Sequence, residues 1–180
     1  VVLFLALLLT PVFANAFGIP QEMINELEVL LPVQILWINL VTDSLPALAL
    51  AVDPANKDVM KRKPLKANSG IFTKGMTFRV IYQGTMVGIL TIVAFCLGLS
   101  TEGVDEVAKI QIGQTMAFVT LAFSELVHVF NIRNNKKSIF KTGILGNKTL
   151  LLAIVAAALL MLVILFVPAL RDIFGLVLLP

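Results

Sequence analysis

The sequence predicts an all-α fold, a polytopic membrane helix bundle of about five transmembrane helices. Three observations carry this. The 180 residues are 58% hydrophobic with a mean hydropathy of +0.96, and only 14% are charged, against about 25% in soluble domains. The apolar residues arrive in blocks close to the ~20 residues that one helix needs to cross hydrocarbon. The charges collect between the blocks, with a sign that changes from one connection to the next. Blocks so spaced leave no room for a separate soluble domain, so residues 1–180 are expected to form a single transmembrane domain.

The first block, 1–17, opens "VVLFLALLLTPVFANA" and imitates a secretory signal, with a small-x-small step at Ala14-Asn15-Ala16. It lacks an initiating Met and a basic leader, and beginning in mid-helix it reads as cut from something longer. The second block spans 33–52, with Trp37 near one end as an interfacial anchor. The third, 75–99, has Tyr82 near its start and a G-x-x-x-G step at Gly84 and Gly88, which permits close approach of a neighbouring helix. Cys96 lies within it; as the single cysteine it forms no intramolecular disulfide and reads as a small core residue. The fourth and fifth blocks span 109–131 and 148–167. No internal repeat is visible, so the inverted-repeat architecture of many secondary transporters has no support.

Charge sets the orientation. The connection 53–79 carries Lys57, Lys61, Arg62, Lys63, Lys66, Lys74 and Arg79, and the connection 132–148 carries Arg133, Lys136, Lys137, Lys141 and Lys148. The alternate connections, 18–32 and 100–108, contain no Lys or Arg and carry Glu22, Glu26, Glu28, Glu102, Asp105 and Glu106. The positive-inside rule makes the basic loops 53–74 and 132–148 cytoplasmic, and five crossings then place the first residue inside and the last outside. A pI near 9.2 is explained by this topology, and nucleic-acid binding is rejected.

Against this background the stretch "INLVTDSLPAL" at 38–48 is anomalous. A carboxylate near the bilayer centre costs about 2.5–3.5 kcal/mol on insertion scales, so Asp43 requires a partner or a function. Helical spacing places Asn39 three and four residues before Thr42 and Asp43, bringing an amide oxygen, a hydroxyl and a carboxylate toward one face. Pro46 frees the carbonyl of Thr42 from its usual hydrogen bond, and broken helices at the midplane are where transporters hold ions. A second acid, Glu125, lies in "TLAFSELVHVFNIR" with no basic neighbour. His128, three residues on, reads either as a proton relay or as a polar packing residue. Asn39, Thr42, Asp43 and Glu125 together offer six side-chain oxygens. A hard cation such as Ca²⁺ takes about 6–8, and all-oxygen chemistry disfavours zinc or copper.

The segment "VQILWINLVTDSLPALAL" at 33–50 resembles the sixth membrane helix of P-type cation ATPases, above all the sarcoplasmic-reticulum-like calcium pumps and their bacterial relatives. "DVMKRKP" at 58–64 resembles the loop that follows, and "FSELVHVFNIR" at 123–133 the eighth helix. The five blocks would then be helices five to nine. The resemblance implies that Asn39, Thr42 and Asp43 are cation ligands on helix six and Glu125 a ligand on helix eight. Asp43 matches the acid shared by both ions in two-site pumps, and Ser44 stands where those pumps usually have Gly. It implies a Ca²⁺ exporter in the plasma membrane of a bacterium, with the two acids binding cation in one state and protons in the other. The lipid bilayer, the pump's other helices and its cytoplasmic domains would be the partners, the loop 53–74 meeting those domains.

The phosphorylated aspartate of the family's Asp-Lys-Thr-Gly-Thr motif is not in this sequence. Lys141-Thr142-Gly143 follows Phe140 and is a chance echo. No nucleotide-binding loop is present, so catalytic and cofactor-binding residues are expected to be none, ATP and Mg²⁺ belonging to the cytoplasmic domains. Three alternatives stay open: a Na⁺, H⁺ or Mn²⁺ pump of the same class, a self-contained passive cation channel or carrier, and a small membrane regulator.

Overall fold

A computed structural model describes residues 2–20, 22–23, 27–53, 74–133 and 147–179. Helix α1 spans Val2–Phe17. The next membrane helix has three parts: α2 (Pro32–Trp37), a π-helical stretch (Ile38–Asp43) and α3 (Ser44–Ala51). Then come α4 (Lys74–Leu99), α5 (Glu106–Ile132), α6 (Lys148–Phe166) and the short α7 (Pro168–Ile173). There is no strand among the described residues.

Four helices, Pro32–Ala51, Gly75–Leu99, Glu106–Ile132 and Lys148–Phe166, are long and apolar enough to cross a membrane, and Leu3–Phe17 is a shorter apolar helix. The 16 residues of α1 extend about 24 Å at ~1.5 Å each, short of the ~30 Å of hydrocarbon. Helix α5 begins at Glu106, before the expected 109, because Asp105 takes the N-cap position and Glu106 places an acid in the first turn, where the helix dipole favours it. Helix α6 is capped by Asn147, whose side chain accepts from the Leu150 N–H at 2.9 Å. It ends where Val167 turns extended ahead of Pro168, as the residue before a proline prefers.

The main packing is α4 against α5, with α1 on α4, and with α3 and the π-helical stretch against α6 and α5. The tightest backbone approach joins α4 to α5 at Gly98 and Gly113, where a Cβ on Gly98 would collide with the Gly113 backbone. The sequence pointed instead to Gly84 and Gly88. A core of Phe13, Phe95, Phe118, Leu121, Met161 and Ile164 fills the bundle, and a smaller cluster of Ala49, Val129 and Leu150 lies between α3, α5 and α6. Phe4, Leu7, Leu36, Leu48, Phe78 and Leu152 face outward, as expected where the solvent is hydrocarbon rather than water.

At the acidic end of the bundle the segment after α6 folds back. Gln34, fully buried, accepts the Leu31 N–H through Oε1 at 3.1 Å and donates from Nε2 to the Phe174 carbonyl at 3.0 Å. The Val177 N–H donates to Thr115 Oγ1 at 3.0 Å, and Gln114 donates to the Glu28 carbonyl at 2.8 Å. Trp37 packs edge-on against Phe174, ring centroids 5.4 Å apart, and its indole nitrogen is buried without a hydrogen-bond partner among the described residues. Its ring packs against the core of the bundle. Tyr82 is exposed and stacks on Phe78. At the basic end, Lys57, Lys61, Arg62, Lys63, Lys66, Lys136, Lys137 and Lys141, which carried the expected orientation, lie outside the described residues.

Candidate cation site

The π-helical stretch Ile38–Asp43 contains Asn39, Thr42 and Asp43. The sequence predicted a helix broken near Pro46; the structure shows one that widens and then restarts. Because α3 begins at Ser44, Pro46 falls in its first turn, where a missing N–H is tolerated. The irregularity is thus displaced N-terminally onto the polar residues, and π-helical turns of this kind are frequent at functional sites. The Ser44 hydroxyl donates to the Asn39 carbonyl at 2.9 Å, while the Ser44 N–H bonds the Val41 carbonyl.

Exposure separates the three polar residues. Asn39 and Asp43 are exposed on the described chain, whereas Thr42 is buried at 3%. Glu125, on α5, is half-buried, and its Oε2 is buried with no hydrogen-bond partner among the described residues. The π-helical stretch that bears Asp43 packs against α5, which bears Glu125. The ion pairs Lys109–Glu106 and Arg133–Asp53 lie at helix ends, away from these acids. Among the described residues no three His, Cys, Asp or Glu side chains group to hold a metal. A cation here would take two carboxylates and otherwise neutral oxygens, a donor set that fits Ca²⁺ and not zinc or copper. His128, Ser124 and Phe123 of α5 line a groove of about 330 Å³ with Met86, Val87 and Leu90 of α4; Glu125 does not line it.

Residues 27–180 match the family model described as "Cation transporting ATPase, C-terminus". The chain belongs to that family. It is 44% identical over 156 residues to "Calcium-transporting ATPase 1" of Bacillus cereus, covering 80% of this chain and 17% of that protein. To "Calcium-transporting ATPase" of Bacillus subtilis it is 36% identical over 167 residues, 93% of this chain and 17% of the relative. To "Calcium-transporting ATPase 4, endoplasmic reticulum-type" of Arabidopsis thaliana it is 34% identical over 113 residues, 63% of the chain and 10% of the relative. The chain therefore spans about a sixth of the length of the bacterial relatives. The family resemblance carried by "VQILWINLVTDSLPALAL" and "FSELVHVFNIR" holds.

Sequence reasoning on this cation-ATPase C-terminal region overlooked one polar cluster. Arg133, just past α5, donates to Asp53, just past α3, from Nε at 3.1 Å and Nη2 at 3.3 Å. Asn147, at the start of α6, donates to Asp53 Oδ1 at 2.7 Å and to the Ala49 carbonyl at 3.3 Å. Arg133 had been counted only as a topology charge. Gln34 was overlooked as well, although a glutamine one turn into an apolar block is a detectable signal.

Proposed function

We propose that this chain is the C-terminal membrane part of an ATP-driven P-type pump that moves Ca²⁺ out of the cytoplasm, and that Asn39, Thr42, Asp43 and Glu125 contribute ligands to the transported ion. The observation that carries the reading is the buried Oε2 of Glu125, without a hydrogen-bond partner among the described residues, on a helix that packs against the π-helical stretch bearing Asp43. Two carboxylates held together in a membrane helix bundle without a basic partner are compensated when a cation sits between them. The names of the relatives support Ca²⁺ as cargo, and six to eight oxygens are within reach once backbone carbonyls or other helices of the pump complete the shell. The acids would bind cation in one state and protons in the other.

On this reading residues 1–180 form one transmembrane transport domain, and the basic ends of α3, α4, α5 and α6 face the cytoplasm, in a bacterium's plasma membrane. Phosphorylation, ATP and Mg²⁺ belong to cytoplasmic domains that the loop 53–74 meets. The test is cation-dependent phosphorylation of the full-length pump from labelled ATP, with Ca²⁺, Mn²⁺, Na⁺ and protons titrated separately. Stimulation at micromolar Ca²⁺ is expected. No stimulation at any micromolar Ca²⁺ concentration refutes the ion assignment, and none by any of the four refutes the pump.

A further inference from the structure

Three helix ends meet at the basic end of the bundle. Asp53 follows α3 by two residues, Arg133 follows α5 by one, and Asn147 caps α6. Arg133 grips Asp53 with two nitrogens, and Asn147 bonds both Asp53 and the Ala49 carbonyl, one of the last carbonyls of α3 that a helix end leaves unsatisfied. The side chains are largely enclosed, at 11% exposure for Arg133 and 20% for Asp53, and Asn147 is 6% exposed. Beneath them lies the second apolar cluster, Ala49, Val129 and Leu150, one residue from each of the same three helices.

The positions of the acids give the cluster its meaning. Asp43 precedes Asp53 by ten residues and Glu125 precedes Arg133 by eight, about 15 and 12 Å along helices rising ~1.5 Å per residue. Asp43 and Glu125 are both acids, so no attraction between them sets how α3 and α5 lie along one another while no cation is bound. A forked, two-point guanidinium contact is directional, and an enclosed one is costly to break. We propose that Asp53, Arg133 and Asn147 form a clasp whose role is to position Asp43 against Glu125, so that the cation meets its two carboxylates already in register. None of the three touches the ion; they are positioning residues. The inference rests on the acid pair being the cation site.

The test uses the full-length pump and reads the Ca²⁺ concentration for half-maximal phosphorylation separately from the maximal phosphoenzyme level. Asp53→Asn and Arg133→Gln are each expected to raise the half-maximal concentration about fivefold or more, the lower end of typical coupling between sites, with the maximal level kept. The double variant is expected to fall short of the sum of the two single effects, since both weaken the shared contact. Glu106→Gln, which breaks the Lys109 pair at the opposite end, is expected to leave the concentration unchanged. A wild-type half-maximal concentration in both single variants, or effects that add in the double variant, overturns the clasp. If those variants do not accumulate folded, Arg133→Lys, which keeps the charge but loses the fork, is read instead, and a wild-type value there overturns it. Absence of cation-dependent phosphorylation in the wild type sinks the proposed function itself and the clasp with it, a result distinct from a responsive wild type with unaffected variants.

Discussion

The Ser44 hydroxyl donates to the carbonyl oxygen of Asn39, five residues earlier, at 2.9 Å. The bond bridges the point at which the π-helical stretch hands over to α3, and it occupies a lone pair of the carbonyl four residues before Asp43. Ser44→Ala removes one intramolecular hydrogen bond, worth about 0.5–1.5 kcal/mol. A shift of several-fold in the Ca²⁺ concentration for half-maximal phosphorylation of the full-length pump is expected, with Ser44→Thr, which retains the hydroxyl, near wild type. An unshifted alanine variant would show that this carbonyl plays no part in setting affinity.

Asp43→Asn and Glu125→Gln keep size and remove charge. Each is expected to abolish Ca²⁺-dependent phosphorylation while leaving the amount of folded protein in the membrane unchanged, because a neutral amide is less costly than a carboxylate within a membrane helix. Phosphoenzyme titrated against Ca²⁺, alongside detergent-solubilised monomer measured by size-exclusion chromatography, checks both halves. Activity retained in Asp43→Asn would count heavily against the ligand assignment.

At the α4–α5 crossing, Gly98→Ala places a methyl into the Gly113 backbone, and overpacking of this kind costs about 1–3 kcal/mol. Gly75→Ala, with open space around it, gains helix propensity of about 1 kcal/mol. Thermal unfolding in detergent should therefore fall for the first variant and hold or rise for the second.

Gln34→Leu leaves the Leu31 N–H and the Phe174 carbonyl without their side-chain partner, at about 1–3 kcal/mol for unsatisfied buried groups. The expected readout is faster proteolytic cleavage within 167–179, with the four membrane-length helices still protected. Unchanged cleavage would mean that the aromatic contacts of Phe174 hold this segment unaided.

Much of this was legible beforehand because the membrane is a severe solvent. Blocks of apolar residues became α4, α5 and α6 within a few residues of their expected ends, and Asp43 and Glu125 stood out because an acid among leucines needs a reason. The rest depends on contacts between distant positions. Asp53 sits in one polar connection and Arg133 and Asn147 at the two ends of another, where a charged or amide residue is unremarkable, and only the packing of α3, α5 and α6 brings them together. Gly98 and Gly113 carry no spacing signal because each lies on a different helix, whereas Gly84 and Gly88, on one helix, did. The π-helical stretch was half visible. Pro46 announced a disturbance, but proline tolerance in a first turn moved it upstream.

The membrane helix that carries Asp43 is tied at both extremities, through Gln34 to the folded-back tail and through Asp53 to its neighbours. A rod pinned at its two tips cannot slide lengthwise; it can only buckle. Any movement that spares both tethers is forced into the six residues in between, where the helix already widens and where Asn39, Thr42 and Asp43 lie.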